Sequence, residues 1–193
     1  EAAFILRNCL PDFPAKSVHL IVMRGDTNRN SKLLVTKVQG QFIIGLDNGA
    51  SSLIDSEAEY FEIKQADRDE KKLAVLLMDT AIKLIDAHYE VEQIAEPTNE
   101  VHINQWPVPV MSTNSLSGVV LYTDFHGNAF TNIRLKDITE LTQGRGFRVN
   151  LSIHEWVDKI EPSTEFVPKG EISIISDASG FLIVTIHGGN AQK

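Results

Sequence analysis

Cysteine is nearly absent from this sequence: Cys9 is the single one among 193 residues. No disulfide can form within the chain, which fits a reducing compartment and makes the cytoplasm the expected location. No apolar run approaches the roughly 20 residues needed to cross a bilayer, so no membrane association is expected. Basic residues are also few. Eighteen Lys and Arg face twenty-six Asp and Glu, a net charge of −8. Nucleic acid and anionic membrane surfaces, which demand concentrated positive charge, are therefore not expected partners. The six histidines are scattered, without the close Cys, His or carboxylate spacing of zinc or iron sites, so no metal ligands are assigned. There is no phosphate-binding loop, no dinucleotide fingerprint and no Gly-x-Ser-x-Gly elbow, and Gly144-Arg145-Gly146 does not follow a strand. Cys9 falls on an apolar helix face, where a buried and inert thiol is the expectation.

What is present is an ordinary globular composition, 42% apolar and 23% charged, enough to bury a core. The first residues read as helix, followed by a turn at Leu10-Pro11-Asp12-Phe13-Pro14 that two prolines keep from continuing it. The apolar run over 18–23 predicts a strand buried on both faces. A polar loop over 24–31 follows, then strands over 33–38 and 41–46. Asp47-Asn48-Gly49 closes the second with a sharp turn, and 60–63 reads as a further strand. From 68 to 87, Leu73, Leu77, Ala81, Leu84 and Ile85 recur at helical spacing. Strands alternating with helices predict an α/β domain over residues 1–105.

The second half has a different texture. A proline-rich stretch over 97–109 reads as a linker. Beyond it, short runs at 119–123, 129–133, 147–153, 171–175 and 181–186 are punctuated by Gly and Asn. They predict a small all-β unit, barrel-like or a sandwich, over 110–193.

Three polar loops can carry chemistry. The first runs from Tyr122 through Asp124, His126, Asn128 and Phe130 to Ile133. Asp124 suits an ammonium partner, Asn128 an amide-like edge, and Phe125 or Phe130 a planar ring. The same residues also satisfy an ordinary hairpin turn. The second is Asp177-Ala178-Ser179-Gly180 together with His187-Gly188-Gly189-Asn190, which is likewise open to hairpin chemistry. The third, Arg24 to Asn30, places two guanidiniums and the Asp26 carboxylate in one loop, and the favoured reading is a solvated polar loop with a local ion pair.

Taken in order, these clusters resemble the SAM hydroxide adenosyltransferases (SAM hydrolases), relatives of the SAM-dependent chlorinases and fluorinases, where SAM is S-adenosylmethionine. Phe13-Pro14 and the 18–22 strand are similar to the family's "FP" turn and buried strand, and Leu46-Asp47-Asn48-Gly49 to its "PDNG". Asp124 through Ile133 resembles "DxFGNxxTNI", and 179–191 the C-terminal "SxGxLxIAxxxGNA". The resemblance implies an α/β domain, a smaller C-terminal β-barrel, and a homotrimer with SAM bound where two subunits meet. It makes SAM or adenosine the ligand and SAM the substrate, with no further cofactor. Asp124 would hold the methionine ammonium and Asn128 would read the adenine edge, with Phe130 against the ring. His126 stands in place of the family's Phe; Ser179 and Gly188 would contact adenine or the methionine end. Asn48 belongs to the matched turn.

The water-activating Asp, Arg and His of the hydrolases are not matched. Ungapped, their positions hold Arg24, Ser31 and Tyr122, which leaves Arg24 and Tyr122 as this chain's candidate catalytic residues. No halogenase-type loop is evident, so a halogenase is not expected. Family members also carry chain before the position of Glu1, including a "TDFG"-like turn and the first strands of the sheet. The chain, opening within a helix and without Met, is expected to be the later part of that fold. The readings that follow are hydrolysis of SAM to adenosine and L-methionine, an inactive SAM- or adenosine-binding homotrimer, or a structural trimer without ligand.

Overall fold

The computed structural model describes residues 2–22, 32–64, 70–86, 89–152 and 154–191. Arg24, Asp26, Arg29, Ser31 and His88 lie outside them. The chain divides into two compact units, Glu1–Trp106 and Pro107–Lys193.

The first unit opens with α1 (Ala2–Cys9), and Pro11 sits in the 3-10 turn Leu10–Asp12 that ends it. Four strands follow: β1 (Val18–Ile21), β2 (Leu33–Val38), β3 (Gln41–Leu46) and β4 (Glu59–Glu62). After α2 (Glu70–Ile85), the short β5 (Glu96–Pro97) completes a sheet of order β1-β3-β2-β4-β5. The β1–β3 pair is parallel and the other pairs antiparallel.

Alternation along β3 explains the layering, because successive strand side chains point to opposite faces. Ile44, paired with Val35, joins Leu33, Phe61 and Ile63 against Leu77, Ala81 and Leu84 of α2. Its neighbour Ile43 joins Ala3, Leu10, Val38 and Ile54 on the α1 side. Each isoleucine is wholly buried. The sheet is thus a layer between two helices.

Two sequence expectations need correction here. Among the described residues β1 stands at the end of the strand order, with Leu20 exposed, and Val22 beyond it exposed too. Its apolar run is therefore not buried on both faces among the described residues. In α2, Ile85 lies on the exposed side with Val75, Met78 and Ile82, while Leu77, Ala81 and Leu84 face the core.

Much of the stretch read as a linker is held by the first unit. Thr98 N–H donates to the Tyr60 carbonyl at 2.9 Å, and the Trp106 indole N–H donates to the Leu53 carbonyl at 2.6 Å.

The second unit begins with the hairpin β6 (Val110–Met111) and β7 (Leu116–Ser117). β8 (Val120–Thr123) and β9 (Ala129–Arg134) follow, then helix α3 (Leu135–Thr142). A short hairpin of β10 (Val149–Asn150) and β11 (Trp156–Val157) precedes the long pair β12 (Ile172–Ser176) and β13 (Phe181–Ile186). The main sheet has the order β12-β13-β9-β8, antiparallel throughout. Ile138 of α3 packs with Ile174 and Leu182 to form the core.

This unit is not all-β, and among the described residues its sheets do not close into a barrel. The helix is signalled by Asp137, whose carboxylate accepts the Arg134 N–H at 2.8 Å and so satisfies a free donor at the helix start. Gln143 (φ 50°) and Gly144 (φ 84°) turn left-handed and end it. Of the strand expected over 147–153, the described residues keep Val149–Asn150, and Ile153 lies outside them.

Candidate functional site

The β8–β9 connection is built on one carboxylate. Asp124 N–H donates to the Asn128 carbonyl at 3.0 Å, and Gly127 N–H donates back to the Asp124 carbonyl at 3.0 Å. The Asp124 side chain then gathers the loop. Its Oδ1 accepts the amides of His126 and Asn128, both at 2.9 Å, and its Oδ2 accepts from Asn128 Nδ2 at 2.8 Å. Burial opposes the charge on Asp124, but the backbone and side-chain N–H groups of Asn128 and the amide of His126 outweigh it. Together they hold the carboxyl below the usual carboxylate range.

Asn128 is fixed at its other end as well. Thr185, on β13, donates its hydroxyl to Asn128 Oδ1 at 2.5 Å. A chain of polar groups thus runs Asp124–Asn128–Thr185 across the mouth of the sheet.

A cavity of about 470 Å³ opens beside this chain. Ile175, Ile183 and Ile186 are apolar lining residues, with Asn128, Thr185, His126, Thr164 and His187 as polar ones. Gly188 and Gly189 complete the lining through their backbone. The His187 ring is oriented by a 2.8 Å hydrogen bond between Nδ1 and the Val167 carbonyl. A carbonyl only accepts, so Nδ1 carries the proton. Behind the loop, Tyr122 and Phe130 pair across β8 and β9 with ring centroids 5.4 Å apart. The His126 ring lies 3.8 Å from that of Phe125.

Residues 1–92 match the model of the SAM hydroxide adenosyltransferase N-terminal domain, and residues 118–193 that of the SAM hydroxide adenosyltransferase C-terminal domain. The chain belongs to the SAM hydroxide adenosyltransferase family. The family's substrate is SAM, and the match therefore points to SAM binding or processing. Solved structures share the fold of this SAM hydroxide adenosyltransferase chain. An uncharacterized conserved protein from Thermotoga maritima superposes with a TM-score of 0.80 at 22% identity, covering 98% of this chain and 77% of its own. A conserved hypothetical protein from Thermus thermophilus gives a TM-score of 0.73 at 20% identity, covering 99% of this chain and 74% of its own. No curated protein matches.

Within this SAM hydroxide adenosyltransferase fold, Asp124, His126, Asn128 and Gly188 come together at one end of the β9–β13 pair. Ser179 does not join them. It is exposed in the β12–β13 turn, where Asp177 Oδ1 accepts the Phe181 N–H at 2.8 Å. Gly188 follows the opposite end of β13, so a strand of roughly 17–20 Å separates the two.

Asn48 lies in the first unit and serves its turn: Oδ1 accepts the Ala50 N–H at 2.9 Å. Arg24 lies outside the described residues. His187 belongs to the second polar cluster read from the sequence, whereas Thr185, Thr164, Ile175 and Ile183 are lining residues that no sequence motif singled out. Only the period-two alternation of 183–185 could have placed Ile183 and Thr185 on one face. Among the described residues, no group of three or more His, Cys, Asp or Glu is placed to hold a metal ion, and no helix is long and apolar enough to cross a membrane.

Proposed function

We propose that the protein binds SAM and adenosine at the Asp124–Asn128 cavity and hydrolyses SAM to adenosine and L-methionine. The interlocked Asp124–Asn128–Thr185 chain, standing at a cavity in a family chain, carries this reading. A carboxylate kept ionised suits the methionine ammonium. The amide of Asn128 suits the adenine edge, and Phe130 and His126 offer aromatic faces to the ring. The backbone at Gly188 contributes polar groups at the rim, and Asn48 is assigned a substrate contact from the first unit.

The reaction needs no cofactor. A sulfonium is already an activated leaving group, so the protein must orient and desolvate a water in line with the ribose 5′-carbon. The new C5′–O bond forms as the C5′–S bond breaks. Its electron pair goes to sulfur, giving neutral methionine, and the attacking water loses a proton to solvent. Arg24 cannot serve as a base at neutral pH, and we assign it and Tyr122 to orienting the water.

The site is proposed to lie between subunits of a cytoplasmic homotrimer. Ser179, at the other end of β13 from Gly188, is assigned a contact to adenine or the methionine end of SAM. Two exposed aromatics support an interface at this rim: Phe125, 89% exposed, beside His126, and Phe166, 68% exposed, beside Thr164.

The test is incubation with SAM, followed by chromatography for adenosine and methionine in equal amounts. No adenosine from a protein that binds SAM sinks the hydrolase reading. One observation favours an alternative, a catalytically inactive SAM- or adenosine-binding homotrimer. Tyr122, at the position of a catalytic His, packs its ring on Phe130. Calorimetry with SAM and adenosine tests that alternative, and heat from neither ligand removes it.

A further inference from the structure

The amide of Asn128 carries two N–H donors and two acceptor lone pairs. Asp124, an acceptor only, takes one N–H. That contact fixes which end of the amide is nitrogen. Thr185 must then donate to the oxygen, and it takes one lone pair at 2.5 Å. One N–H and one lone pair remain for a ligand.

We infer that Thr185 is a positioning residue: it locks the Asn128 amide so that the cavity selects a 6-aminopurine over a 6-oxopurine. This rests on the adenosine-binding reading above. On its N7 side a 6-aminopurine presents an exocyclic N–H donor beside a ring-nitrogen acceptor, the complement of one N–H and one lone pair of Asn128. A 6-oxopurine presents two acceptors there, and one of them would face the free lone pair of Oδ1. An amide held at one end can tilt to relieve that mismatch, whereas one held at both ends cannot.

The observations make Thr185 suited to this task and not merely to the strand. Its residue is 2% exposed, so bulk water does not compete for the hydroxyl. It lines the same cavity as Asn128. It stands on β13, opposite Ser173 in register, so its backbone is held by the sheet.

The experiment is calorimetry with adenosine and inosine on wild type, Thr185→Val and Thr185→Ser. Valine keeps the shape and removes the donor; serine keeps the donor. Thr185→Val is expected to weaken adenosine binding about tenfold, the loss of one hydrogen bond to a buried amide. Its preference for adenosine over inosine should shrink, and Thr185→Ser should restore both. A purely structural role would shift the melting temperature and leave the adenosine-to-inosine ratio alone; that result overturns the inference. Wild-type protein that binds adenosine with an unchanged ratio in Thr185→Val sinks this inference only. Wild type that binds neither adenosine nor SAM removes the underlying binding reading, and this inference with it.

Discussion

Gly127 is packed against Asn190 so closely that a β-carbon built on it would lie 2.2 Å from the Asn190 amide carbon. Its φ of 86° adds a second constraint, since L side chains rarely adopt that conformation. The two loops are also tied by the Ala191 N–H, which donates to the Gly127 carbonyl at 3.0 Å. Gly127→Ala should therefore destabilise the second unit by about 1–3 kcal/mol. A Gly127→Ala/Asn190→Ala pair should recover the steric part but not the backbone part. Thermal unfolding of the three variants checks this, and a Gly127→Ala transition at the wild-type temperature would refute it.

Asp124 gives the β8–β9 turn a pH dependence. Its folded pKa is depressed, so its contribution to stability is fully present above the unfolded carboxylate value of about 4. That contribution is lost as pH falls below this value, through the folded pKa. Asp124→Asn replaces an acceptor with a donor facing Asn128 Nδ2 and should lower stability at pH 7. Part of the gap from wild type should close below about pH 4, where wild type has lost its own charge. Denaturant melts at neutral and acidic pH measure the gap. A gap that widens on acidification contradicts the assignment.

The sheet and helix pattern of the first unit was legible because its signals are local and strong. β2 and β3 run as continuous β-favouring stretches separated by Gln39 and Gly40, both at positive φ, and the structure keeps those bounds. The exposure of β1 among the described residues was not readable, because an apolar strand looks alike wherever it stands in a sheet. What differs is the neighbour, and no local sequence feature names it. α3 was missed for a similar reason. Its eight residues give barely two turns, and its stability comes from Ile138 packing on Ile174 and Leu182, a contact made across the fold. At the site, Asp124 and Asn128 were visible as a polar loop between strands. His187 was visible as part of a second polar cluster, but Thr185 was not, and strand pairing alone brings both to that loop from far along the chain.

The stretch before the second unit is held by side chains of the Asp47-Asn48-Gly49 turn and the Ser52 that follows it. Asp47 accepts the His102 N–H through both oxygens, at 2.9 and 3.0 Å, and Ser52 Oγ accepts the Asn104 N–H at 2.8 Å. Asp47→Ala should free the His102 amide, and Ser52→Ala the Asn104 amide. Each would be seen as faster hydrogen exchange at that amide with the β2–β3 core unchanged. Exchange rates equal to wild type at both positions would show that the carboxylate and hydroxyl do not hold this stretch.

Tyr122 separates the hydrolase from the inactive binder. Its ring is packed on Phe130 at 5.4 Å, so Tyr122→Phe keeps the aromatic pair and deletes only the hydroxyl. If that hydroxyl orients the attacking water, adenosine formation should fall by roughly 10²-fold, the scale of losing one positioned polar group. SAM affinity should stay within about twofold, since the hydroxyl is assigned to the water and not to SAM itself. The two quantities move together only if the ring itself has shifted, which Tyr122→Leu would exaggerate and Tyr122→Phe would not. Full activity in Tyr122→Phe returns the residue to a packing role.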